Sequence, residues 1–189
     1  MGNDYQIEKK PAVFLDRDGT IIEYVKVPAE VAQIKVLPGA GSAIKRLNEL
    51  GYLAIVITNQ PVIEKGIITQ AQADELNEVM KRQLKERAAM IDAVYMCPHR
   101  FRPEGSCACR KPNLGLLEQA QKDFPIDMAR SWFVGDTARD METGARAGIR
   151  TILVKTGAGD RDTQFFQTKG DYEATDFEGA VKIIEQAGR

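Results

Sequence analysis

The feature that most constrains this chain is a rhythm. Five short apolar runs, Ala12–Leu15, Leu53–Ile57, Ala93–Met96, Trp132–Val134 and Thr151–Val154, are separated by longer amphipathic stretches. The runs are rich in β-branched or aromatic residues and bounded by turn residues, so each reads as a buried strand. A helix is expected over Gly39–Leu50, which follows Pro38 and stops at Gly51. Another is expected over Thr69–Ala89, opened by Thr69 and carrying Leu76, Val79, Met80 and Leu84 at helical spacing. Gly115–Lys122, Asp140–Ala147 and Phe177–Gln186 complete the set. Such alternation predicts an α/β fold, a Rossmann-like three-layer sandwich with a mostly parallel sheet covered on both faces. A chain of 189 residues suits one domain over 1–189, with 1–10 as a flexible lead-in.

A parallel sheet collects its chemistry beyond the carboxyl ends of its strands. Polar residues follow four of the runs: Asp16-Arg17-Asp18-Gly19-Thr20, Thr58-Asn59-Gln60, Cys97-Pro98-His99 and Gly135-Asp136-Thr137. Asp16 and Asp18, two residues apart at a strand end, can enter one crevice as Gly19 lets the chain turn. Asp136 can reach the same place from another strand. Three carboxylates together repel one another unless a cation sits among them, and Mg²⁺ suits hard oxygen ligands beside phosphate. Asp is also a common turn and cap residue, but agreement of four strand ends favours a site. Thr58 and Asn59 offer a hydroxyl and an amide to a phosphate, and Arg110-Lys111 offers two cations held before Pro112.

Cysteine use adds a second constellation. The three cysteines, Cys97, Cys107 and Cys109, lie within thirteen residues together with the only histidine, His99. An odd count argues against a disulfide framework. Three thiolates and an imidazole make a closed tetrahedral set, which favours structural zinc on a loop spanning 97–109. Buried free cysteines and a redox thiol pair are the competing readings, but Arg100, Arg102, Glu104 and Arg110 make the stretch too polar for a core. A zinc staple would aim Arg110-Lys111 at the phosphate.

Charge and hydropathy exclude other classes. With 26 basic and 27 acidic residues the chain lacks the basic excess of a nucleic-acid binder. No apolar run approaches a bilayer span, and the first residues lack the apolar core of a signal peptide, so no membrane partner and a cytoplasmic location are expected. A monomer is expected. Phe165-Phe166 reads as packing beneath a loop, and Trp132 as core.

In order, DRDGT, TN, RKP and GDTARD resemble the haloacid dehalogenase (HAD) superfamily of phosphohydrolases, from Ala12 to about Gly157. The resemblance implies an aspartyl-phosphate mechanism. Asp16 would be the nucleophile and Asp18 the general acid and then base, while Thr58 and Lys111 stabilise the phosphoryl group. Mg²⁺ would be held by Asp16, Asp136 and the Asp18 backbone carbonyl, with Asp140 supporting from outside. Arg17, Asn59, Lys65 and Arg110 would contact substrate. The Cys-x-His and Cys-x-Cys pairs ahead of RKP are similar to the heptose-1,7-bisphosphate 7-phosphatase group and the related histidinol-phosphatase domains. That group implies a fold without a large cap domain and removal of the 7-phosphate of D-glycero-D-manno-heptose 1,7-bisphosphate. Histidinol phosphate, another small phosphate ester, or a catalytically silent phosphosugar-binding module remain alternatives. The chain departs from the usual TNQSGIARG of the heptose enzymes by reading TNQPVIEKG, with Lys65 in place of Arg.

Overall fold

The computed structural model describes residues 8–102, 105, 107–157 and 163–188. The strands are β1 (Ala12–Leu15), β2 (Leu53–Asn59), β3 (Ala93–Cys97), β4 (Trp132–Gly135), β5 (Arg150–Val154) and β6 (Tyr172–Ala174). They form one sheet in the order β3-β2-β1-β4-β5-β6, and every pairing is parallel. The helices are α1 (Ala40–Glu49), α2 (Gln70–Lys85), α3 (Gly115–Asp123), α4 (Ala138–Arg146) and α5 (Phe177–Ala187). The expected α/β sandwich is therefore present, with one more strand than the apolar runs announced. β6 is three residues long with Tyr172 and Glu173 exposed, so it offers no apolar run to read.

Alternate residues of β1, β2 and β4 enter opposite cores because side chains switch faces along a strand. Val13, Leu15, Val56, Trp132 and Val134 join α1, α2 and α5 in one cluster, while Phe14, Ile55, Ile57 and Phe133 join α3 in the other. Trp132 is fully buried, as expected.

Two helix boundaries differ from expectation by more than one residue, for local reasons. α2 opens as expected, with the Thr69 hydroxyl accepting from the Gln72 amide (3.2 Å) and the Gln72 side chain accepting from the Thr69 amide (2.8 Å). It ends at Lys85 rather than Ala89, because Ala88 takes a left-handed φ of 55° and the Ala89 amide turns back to Leu84. α4 starts at Ala138, two residues early, because Thr137 is its cap and Asp140 its third residue.

Lys10, read as part of a flexible lead-in, is paired: its amide donates to Pro125 and its carbonyl accepts from Asp127. The rest of that expectation over 1–7 lies outside the described residues, as do Pro103, Glu104 and Ser106 of the cysteine loop. Among the described residues no cap domain interrupts the sheet. The β1–α1 connection holds only a short 3₁₀ turn at Val31–Gln33, and no described helix is long and apolar enough to cross a membrane.

Strand register levels the polar strand ends with one another. Leu15 lies opposite both Val56 and Val134. Asp16, Thr58 and Asp136, one or two residues beyond these partners, therefore reach the same rim. Strand order reverses on either side of β1, which is where an open parallel sheet leaves a crevice.

Candidate active site

Asp16 leaves β1 with its amide bonded to the Val134 carbonyl (3.0 Å). Lys111 Nζ lies 2.9 Å from Asp16 Oδ1 and 2.7 Å from Asp140 Oδ1. The lysine is 2% exposed, and a buried ammonium needs such partners. Asp140 Oδ2 in turn accepts from the Thr137 hydroxyl (2.6 Å) and amide (3.2 Å), so the cap of α4 also orients a partner of Lys111. Carboxylate oxygens of Asp16, Asp136 and Asp140 all lie within 4.8 Å of one another. Residues 16, 111 and 136, far apart in the chain, thus converge.

Burial above all, with Asp140 and Asp18 acting the same way and Lys111 pulling against them, raises the Asp16 carboxyl to about 6. Burial opposes the Lys111 ammonium, but Asp140 and Asp16 outweigh it and hold its pKa above the ordinary lysine value. Three carboxylates converging at one rim form a donor set that fits a hard divalent cation. The backbone is shaped to the same end. A Cβ on Gly19, which has φ +87°, would come within 2.5 Å of Asp136 Oδ2, and one on Gly157 within 1.8 Å. Only glycine lets both segments close on that carboxylate.

Asp18 is directed elsewhere. Its Oδ2 accepts from Arg17 Nε (3.0 Å) and Gln60 Nε2 (2.7 Å), and its Oδ1 from Arg17 Nη2 (3.2 Å). In the acidic trio the third side chain is Asp140, expected only as outer support. Arg17 differs from its expected role as a substrate contact. It is 1% exposed and its fork is spent on Asp18 and, through Nη1, on Asn77 Oδ1 (2.8 Å). Asn59 lines the crevice, but its amide group is tied to the backbone of Lys111 by two hydrogen bonds, 3.1 and 3.3 Å. Its observed work is to hold the lysine.

The crevice, about 210 Å³, is lined by Asp16, Asp18, Thr58, Lys65, Arg110 and Lys111 among others, and by the Tyr24–Pro28 loop. Gln60, from the polar run after β2, Thr137, from that after β4, and Arg139 line it too. Asn77 could have been found as a polar residue amid the apolar spacing of α2.

The cysteine loop closes on itself. Cys97 Sγ, His99 Nδ1, Cys107 Sγ and Cys109 Sγ define a tetrahedron whose six edges run from 3.1 to 3.6 Å. Zinc–sulfur bonds of about 2.3 Å in tetrahedral geometry give edges of about 3.8 Å, and all three cysteines are free of disulfides. The set is compatible with zinc. Burial pushes the Cys97 thiol up. Burial acts the same way on Cys107, but hydrogen bonds from Cys109, Cys97, the Arg110 amide and His99 bring it down to about 7. Arg110, which lines the crevice, is held by this loop: its Nη1 donates to the His99 carbonyl (2.7 Å) and its amide to the Cys107 carbonyl (3.3 Å). Phe165 is not beneath a loop. It is 55% exposed, with its ring 5.2 Å from that of Phe101 on the cysteine loop.

The HAD-hydrolase-like family model matches residues 108–180. The D-glycero-β-D-manno-heptose-1,7-bisphosphate 7-phosphatase of Salmonella typhi is 41% identical over 155 residues, covering 78% of this chain and 81% of its own. The chain belongs to the HAD-like phosphatase family. The Escherichia coli K12 heptose bisphosphate phosphatase is 39% identical, covering 78% of this HAD-like phosphatase and 80% of its own length. Among solved structures, the D,D-heptose 1,7-bisphosphate phosphatase of B. bronchiseptica, a complex with magnesium and phosphate, superposes with a TM-score of 0.83 at 29% identity over 94% of this chain and 99% of its own. A HAD-like phosphatase from Mesorhizobium loti gives 0.80 at 30% identity, covering 100% of this chain and 92% of its own.

Proposed function

We propose that this HAD-like phosphatase hydrolyses a phosphomonoester of a small sugar through an aspartyl-phosphate on Asp16, and that its substrate is D-glycero-D-manno-heptose 1,7-bisphosphate, cut at the 7-phosphate. The observation that carries the chemistry is Lys111 Nζ seated between Asp16 and Asp140. A nucleophilic carboxylate and a phosphate-directed cation are then in contact at one rim. The substrate rests on the names of the relatives.

Asp16 Oδ1 is already engaged by Lys111 and by the Arg17 amide (2.7 Å), so Oδ2 is the oxygen that attacks phosphorus. The ester P–O bond breaks, its electron pair stays on the departing oxygen, and that oxygen takes a proton from Asp18. Water then attacks phosphorus and gives a proton to Asp18, the bond to Asp16 breaks, and phosphate leaves. Thr58 and Lys111 hold the phosphoryl oxygens, and Arg110 and Lys65 receive the rest of the substrate. Mg²⁺ would be held by Asp16, Asp136 and the Asp18 carbonyl with Asp140 alongside. When bound it neutralises charge on the transferring group. Zinc on Cys97, His99, Cys107 and Cys109 is structural, since four protein ligands leave no open position. The crevice comes from one chain, which suits a monomer. Three free thiols suit the reducing cytoplasm.

The test is a panel compared by kcat/KM: heptose 1,7-bisphosphate, other sugar phosphates and histidinol phosphate. Heptose bisphosphate is expected to lead by at least about 100-fold, a margin within reach of paired polar contacts. Equal weak rates throughout would overturn the substrate assignment. A silent binding module would turn over none of them.

A further inference from the structure

Arg17 is among the largest fully buried side chains in the molecule, yet it directly follows the nucleophile on a turn. Burying a guanidinium is costly unless its N–H groups find partners, and here they do so in a directed way. Nε and Nη2 fork onto the two oxygens of Asp18, the geometry that fixes a carboxylate plane best. Nη1 reaches back to Asn77 Oδ1 on α2. Asn77 is itself buried, on a helix face otherwise made of Ala73, Leu76, Val79, Met80 and Leu84. An aliphatic side chain would suit that face better, unless the amide is needed for Arg17. From the other side, Gln60 Nε2 contacts both Asp18 Oδ2 (2.7 Å) and Thr58 Oγ1 (2.9 Å), joining the acid to a phosphate-binding hydroxyl.

We infer that Arg17 and Gln60 clamp the Asp18 carboxylate in its working orientation, and that Asn77 of α2 is a positioning residue acting through Arg17. The inference rests on Asp18 being the group that protonates the leaving oxygen. Loosening the Asn77 arm of the clamp acts on that proton transfer, since Asn77 meets the site only through Arg17. An alkyl phosphate needs the proton as its P–O bond breaks, whereas a 2,4-dinitrophenolate leaves without it. kcat/KM reports only the steps through that cleavage, so the two substrate types separate a positioning role from a packing role.

The experiment measures kcat/KM of wild type, Asn77→Leu and Asn77→Asp on heptose 1,7-bisphosphate and on 2,4-dinitrophenyl phosphate, with Tm recorded for each. Asn77→Leu is expected to lose at least about 10-fold on the sugar phosphate, as misplaced general-acid catalysis should, and less than about 2-fold on the aryl phosphate. Asn77→Asp keeps an acceptor for Arg17 and should recover the sugar phosphate rate to within about 3-fold. Equal losses on both substrates, or no loss on either, would overturn the inference. Should Asn77→Leu not fold, Asn77→Ala is read by the same ratio and the same two results decide. Should wild type ignore heptose bisphosphate, the substrate assignment fails by itself, and the comparison runs on the alkyl phosphate that the panel shows to be cleaved.

Discussion

At the scale of single residues, the informative quantity is the burial of the Asp16 carboxyl beside Lys111, Asp140 and Asp18. A carboxyl raised from 3.8 to about 6 in the fold binds its proton more tightly there than in the unfolded chain. Without magnesium this group therefore favours the native state at low pH, and its contribution to stability falls as pH rises from about 4 through 6, by about 3 kcal/mol. Asp16→Asn should abolish turnover yet raise the Tm of the magnesium-free protein at pH 8 by a few degrees, read by calorimetry. Normal turnover in that variant would refute the covalent route. Lys111→Met has the opposite sign. It leaves two buried carboxylates facing each other and should cost about 3–5 kcal/mol at pH 8. The cost should be smaller at pH 5, where Asp16 takes up a proton, and denaturant midpoints at the two pH values measure the difference.

At the scale of elements, the cysteine loop and the segment after β2 act together. The Gln60 amide donates to the Cys97 carbonyl (2.7 Å), and Glu64 accepts from the Arg100 amide and from Arg102. The Arg100 amide, then Arg102 after the opposing effect of burial, holds the Glu64 carboxyl below its usual range. Four metal ligands closing this loop would thus order Arg110, Lys111 and the Gln60–Gly66 segment at once. Native purification should yield about one zinc per chain by metal analysis. Cys107→Ser should lose that zinc, lower Tm, and raise KM for substrate, since the phosphate-directed cations lose their anchor. A metal-free protein of full stability would end the staple reading.

At the scale of the whole molecule, the crevice lies where strand order reverses, so its parts come from both halves of the sheet and report on the assembled fold. Ligand binding there is linked to global stability. Magnesium at about 100 times its Kd should add about 2.7 kcal/mol to the unfolding free energy. Asp16→Asn should remove most of that gain, and a Tm titration with MgCl₂ at pH 7.5 checks both.

Much of this molecule was legible in one dimension because strands and helices announce themselves by period, and because metal and phosphate chemistry demands rare groups. The five apolar runs, Asp16 and Asp18 after the first, and the single histidine among three cysteines are local patterns. β6 was not legible, since a three-residue edge strand buries too little to leave a pattern. Asp140 reads as outer support in the sequence, and only folding shows that Thr137 turns it toward Lys111 and the acidic trio. Arg17 looked like a substrate contact, because its charge is visible in the sequence and its burial is not. Asn59 reads as a phosphate ligand in the sequence, and only the fold shows that its amide also holds the Lys111 backbone.

What the amino-acid order determined alone was the class of fold, the four strand ends that carry chemistry, and the two sets of donors. What the tertiary structure decided was which donors face one another. Register in a parallel sheet brings residues 16, 58 and 136 level, and burial then makes each charge choose a partner. Partner choice depends on distances between segments dozens of residues apart, and no local pattern encodes those.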